Sequence, residues 1–146
     1  MIDTLAYLQV LAGGLASGHF VRAGDAYEQS SLNTYAGLAL ICAGDIDRAA
    51  ERLVEENSAL RALFGEAAAV VADSALAGEL REAAAETESS LRLSVLKRQN
   101  DGLRSLLIGL HAHVEDMDTP GGRGIEAAIW KELERSVDRL EIRMPG

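Results

Sequence analysis

One cysteine, Cys42, stands among 146 residues, which excludes an intrachain disulfide and points to a reducing, cytoplasmic setting. With histidines only at 19, 111 and 113, no paired Cys/His spacing for a structural zinc is present, and no metal is implied. Proline is confined to Pro120 and Pro145, so almost nothing interrupts a helix. Lysine is limited to Lys97 and Lys131, and the formal charge is −9. That balance excludes a general nucleic-acid binder, whose affinity rests on a surplus of cations set against phosphates. No stretch reaches the roughly 20 apolar residues that cross a bilayer, so membrane insertion is not expected. The apolar start at 1–18 lacks the basic residues of a secretion signal and reads as a docked helix. No Ser/His/Asp, Cys/His or phosphate-loop pattern appears, so no catalytic residue and no cofactor is implied.

What is present is helix-forming. Alanine, leucine, glutamate and arginine dominate, and no segment sustains a period of two. The abundance of alanine and the preference for arginine over lysine fit a bacterial, GC-rich genome. The expected fold is all-α: a single domain over 1–146, a five- to six-helix bundle, mostly antiparallel and up-and-down. Helix starts are expected at Asp3 or Thr4, at Asp25-Ala-Tyr-Glu28 and at Asp73, and a break at Glu86-Thr-Glu-Ser-Ser90. Gly13 and Gly14 suit a close backbone approach, as in the small-xxx-small run Gly14 to Gly18. Thr119-Pro-Gly-Gly-Arg-Gly124 reads as a loop before a last helix, from about Ile125 to Met144, that buries Ile129, Trp130, Leu133, Val137, Leu140 and Met144. Cys42 reads as a small core residue. The basic residues Arg92, Lys97, Arg98 and Arg104 are expected to pair with Glu79, Glu82, Glu86 and Glu88 on the preceding segment.

Gly44 reads as a helix stop and Asp45 as the cap of the next helix, giving a tight helical hairpin at 25–72. The run from Gly37 to Leu53, with its glycines, the Gly44-Asp45 turn, Ala49 and Leu53, resembles one hairpin of a tetratricopeptide repeat. The resemblance implies a tight antiparallel helix pair. No second copy follows at the period of about 34 residues that defines such arrays.

A different echo runs through the chain. Ile46, Ala50, Leu53, Asn57, Leu60, Phe64, Ala67 and Val71 form a heptad seam, and Leu93, Leu96, Asn100, Leu103, Leu107, Leu110 and Val114 form another. The second seam's Leu96-x-x-x-Asn100-x-x-Leu103-Arg104-x-Leu106 repeats Leu53-x-x-x-Asn57-x-x-Leu60-Arg61-x-Leu63 at an offset of 43 residues. Separated by one helix, the two seams should run parallel, with Asn57 and Asn100 at similar height. A seam amide must find partners, either by pairing structurally or by lining a pocket. Asn57 with Arg61, and Asn100 with Arg104, are each four apart and share a helix face. Two such dyads could cradle a carboxylate or phosphate, with His111 further along the same flank for proton transfer.

Two functions are therefore expected. The first is a non-catalytic interaction or oligomerisation module, a homodimer through helices 1 and 2. There the apolar residues Val10, Leu11, Leu15, Phe20, Val21, Leu38, Leu40 and Ile41 exceed one stripe. The alternative is a protein or enzyme that binds a small acidic ligand at Asn57, Arg61, Asn100, Arg104 and His111.

Overall fold

The computed structural model describes residues 3–140. It is an all-α helical bundle: α1 (Thr4–Ala16), α2 (Ala26–Ala67), α3 (Ser74–Ala85), α4 (Leu93–Glu115) and α5 (Pro120–Arg139), with no strand among the described residues. None of these helices is long and apolar enough to cross a membrane. Met144, expected to be buried, lies outside the described residues. The described residues group into two compact units, 3–49 and 50–140.

In the first unit, Asp3 caps α1 by accepting from the Ala6 N–H at 3.0 Å. α1 ends where Gly18 takes φ 69°, the left-handed region open to glycine. There His19 N–H bonds the Gly14 carbonyl and Gly18 N–H the Leu15 carbonyl, a Schellman closure. A Cβ on Gly14 would strike the Phe20 ring, whereas one on Gly13 would meet nothing. α2 opens with a reciprocal acidic cap, Glu28 N–H to Asp25 at 2.8 Å and Gly24 N–H to Glu28 at 2.6 Å. Ala12 packs on Ala36 and Ala39, flanked by Leu15 and Leu40.

The hairpin expected at 25–72 is not formed, since α2 runs unbroken through Gly44 and Asp45. A glycine stops a helix when it turns left-handed, and among the described residues only Gly18 does so. A helical glycine costs about 1 kcal/mol, less than abandoning the hydrogen bonds of two flanking alanine-rich turns and recapping both ends. Cys42 is exposed rather than a core residue.

The second unit is a four-helix bundle made by the C-terminal part of α2 with α3, α4 and α5. Arg61 reaches Glu88, and a Cβ on Gly65 would lie 3.8 Å from Ala84, so α3 runs back along α2. Arg104 meets Ser136 and His111 meets Trp130, which makes α4 and α5 antiparallel. Val70 abuts Gly121, while Ala59 and Arg135 line one groove, so α5 also opposes α2. It follows that α2 and α4 are parallel, as the 43-residue echo implies. Their seams meet in a core that includes Leu60, Phe64, Leu80, Leu103, Leu110 and Ile129. Asp73 caps α3, accepting from Ala75 and Leu76 N–H; these bonds hold its carboxyl below the ordinary range.

Two readings of the last helix are corrected. The expected loop at 119–124 is largely the first turn of α5, with Thr119 capping by accepting from Gly122 N–H and Pro120 inside the first turn. Proline fits that turn because its missing N–H would have no intrahelical partner there. Gly121 and Gly122 lie too close to Val70 and Met117 to carry a Cβ. The buried face is also rotated. Ile125, Ile129, Glu132 and Ser136 point inward, while Trp130, Val137 and Leu140 are 54%, 67% and 56% exposed. The polar pair is tolerated because Glu132 binds Arg139 at 2.7 Å and Ser136 accepts from Arg104 at 2.7 Å.

Candidate functional site

The five polar residues on the parallel seams of α2 and α4 all lie in the second unit. At their centre, Asn100 Nδ2 donates to Asn57 Oδ1 at 3.0 Å, and Asn57 Nδ2 donates to the Leu96 carbonyl at 3.4 Å. Asn57 is 0% exposed. An amide left without partners there would cost roughly 1–3 kcal/mol, so the pair fixes the height of α4 against α2: a slide by one turn would orphan both side chains.

The arginines separate instead of converging on a shared ligand. Arg104 Nε donates to Glu56 Oε1 at 2.7 Å and its Nη2 reaches Ser136. Glu56 is buried, so this charge is answered from α2, and the expected pairing with the acidic stretch at 79–88 does not involve Arg104. Lys97 likewise bonds Asp101 on its own helix at 3.1 Å. Arg61 is the residue that takes Glu88. His111 stands apart from the arginines, its ring edge-on to Trp130 with centroids 5.4 Å apart. Its Nε2 is buried without a hydrogen bond, the Glu115 carboxylate being 3.7 Å away.

Arg61 is only 7% exposed. Nη1 donates to Glu88 Oε1, while Nε and Nη2 find no partner within the protein. Burial opposes ionisation of Glu88, but hydrogen bonds from Arg61, from its own backbone N–H and from Asn57, with the Arg61 charge, outweigh it and hold the carboxyl below its ordinary 4.5. Arg61 and Glu88 face a cavity of about 450 Å³ between α2 and the irregular segment 86–92.

Of the sequence-derived site, then, Asn57 and Asn100 come together, Arg61 lies beside them through Glu88, and Arg104 and His111 each have separate neighbours. Glu56, Glu88 and Ser136 complete these networks; of the three, the sequence singled out only Glu88, as a partner for the basic residues at 92–104, whereas Arg61 is the arginine it binds. Glu56 gave a faint signal, as the residue preceding Asn57; Ser136 gave none, since its partner is 32 residues away. Among the described residues no group of three His, Cys, Asp or Glu side chains is gathered as for a metal ion. Compared with known protein families, with characterised proteins and with solved structures, the chain matches none.

Proposed function

We propose that the protein is a non-catalytic helical interaction module that forms a homodimer through α1 and the N-terminal part of α2. The observation that carries this reading is the composition of the first unit's interior. Every buried residue among 3–49 is alanine or glycine: Ala12, Gly14, Ala36, Ala39, Ala43 and Ala49. Many of its large apolar side chains, among them Tyr7, Val10, Phe20, Tyr35, Leu38 and Ile41, are exposed, and its leucines at Leu5, Leu8, Leu15, Leu32 and Leu40 are only half-buried. Burial stabilises by about 25 cal/mol per Å² of apolar surface, and methyl groups supply little of it. A unit of about 50 residues is marginal on its own, and association is one way to hold it.

A second copy is the occupant that the charges favour. No Asp, Glu, Lys or Arg occurs from Thr4 to Val21 or from Gln29 to Gly44, in a chain of net charge −9. A two-fold interface sets a surface against itself, so charged residues would oppose their own kind, and a charge-free surface is the one place where two acidic copies approach without that cost. Leu38 and Ile41, with exposed Cys42 beside them, lie on a flank of α2 turned away from Ala36 and Ala39.

Sedimentation equilibrium tests the reading. A concentration-dependent dimer is expected, shifted toward monomer at least tenfold by Leu38→Glu, a substitution at an exposed position. A wild-type chain that stays monomeric at every concentration, or a dimer indifferent to Leu38→Glu, would refute it.

A further inference from the structure

The geometry points to a binding site for a small oxyanion, a carboxylate or phosphate group, on the Nε/Nη2 edge of Arg61, beside the cavity that α2, the end of α3 and residues 86–88 enclose. This goes beyond self-association and does not depend on it. The guanidinium has two edges suited to paired oxygens, and Glu88 engages only Nη1. The edge left over is formed by Nε and Nη2, whose N–H bonds run side by side at the spacing of two oxygens on one carboxylate or phosphate. Both nitrogens are buried and unpartnered within the protein. The asparagines hold one another and Arg104 holds Glu56 and Ser136, so none of these three competes for the ligand.

The cavity supplies further donors, since Ser58 and Thr87 line it and carry hydroxyls. Two of its walls are helical, whereas Glu86, Thr87 and Glu88 belong to the irregular connector, the wall that can yield to admit a ligand. Glu86 and Glu88 also bring negative charge to the same cavity, which limits affinity to about the millimolar range for a group held by one arginine. That opposition makes the site distinguishable from a structural ion pair. Removing the Glu88 charge must tighten anion binding if the edge is a site; for a structural pair it does nothing but weaken the fold.

Thermal unfolding in sodium phosphate and in sodium acetate, each against sodium chloride at equal ionic strength, tests this. Wild-type protein should be stabilised by at least one of the two anions beyond chloride. Glu88→Gln should need about tenfold less of it. Arg61→Lys, which keeps the charge and loses the fork, should abolish the effect, as should Ala62→Leu, which fills the cavity from an exposed helical position. If Arg61→Lys does not fold, Ala62→Leu and the Arg61 Nε–H resonance, which should move on titration, decide the matter. The proposal is overturned if neither anion acts on wild type or Glu88→Gln, or if Glu88→Gln binds no tighter. It is equally overturned if the shift survives in Ala62→Leu, as general exclusion of phosphate from protein surfaces would require.

Discussion

The two units solve the same problem, closing helices over an interior, with different side chains. Residues 50–140 bury Phe64, Leu60, Leu80, Leu96, Leu110 and Ile129 almost completely, and align them with an amide pair. Residues 3–49 fully bury only alanine and glycine and leave their bulky apolar residues half-buried or exposed. Among the described residues, ten of the sixteen exposed large hydrophobic side chains fall in this shorter stretch. Small interior residues let helices approach closely but release little apolar surface from water, so the first unit has good steric fit and a weak driving force. The lesson is that apolar content alone does not identify a core; what matters is which apolar residues face inward.

That contrast can be sharpened by substitution. The largest effect is expected from Phe64→Ala, which opens a cavity at a fully buried position and should cost about 3–5 kcal/mol in urea unfolding; a loss under 1 kcal/mol would mean that the second unit is as loosely held as the first. Next, Asn57→Ala should cost roughly 1–3 kcal/mol by stranding Asn100, whereas Asn57→Leu with Asn100→Leu should recover most of that loss. Recovery is expected because the double replacement leaves no unmet amide. The smallest effect concerns acid. Glu88 titrates below its ordinary value when folded, so its contribution is present above pH 4.5 and is lost as the pH falls through the lower, folded value. The urea midpoint of Glu88→Gln should therefore drop less than that of wild type between pH 6 and pH 3.

Much of the second unit was legible in the sequence. The seams of α2 and α4 are buried from Asn57 and from Leu96 onward, because a strict apolar period dictates which side of a helix leaves water. The 43-residue echo carried the register as well, and the asparagines meet as equal height requires. The errors have a common cause in signals whose meaning depends on tertiary surroundings. Gly44 and Pro120 looked like interruptions, yet a glycine that stays right-handed and a proline in a first turn both belong inside helices. Trp130 and Val137 looked like core, but Glu132 and Ser136 displaced them once Arg139 and Arg104 were close enough to partner those polar groups. The spare edge of Arg61 could not be foreseen, since it depends on Glu88 arriving at Nη1 from beyond another helix.

Asn57 has a consequence beyond alignment. It is tied at once to Asn100, to the Leu96 carbonyl and, by favouring the charge of Glu88, to the connector that carries that carboxylate. Occupancy at the connector and the seating of α4 are thus two variables of one linkage cycle: whatever free energy a bound group communicates to the helix, the helix must return to the bound group in equal measure.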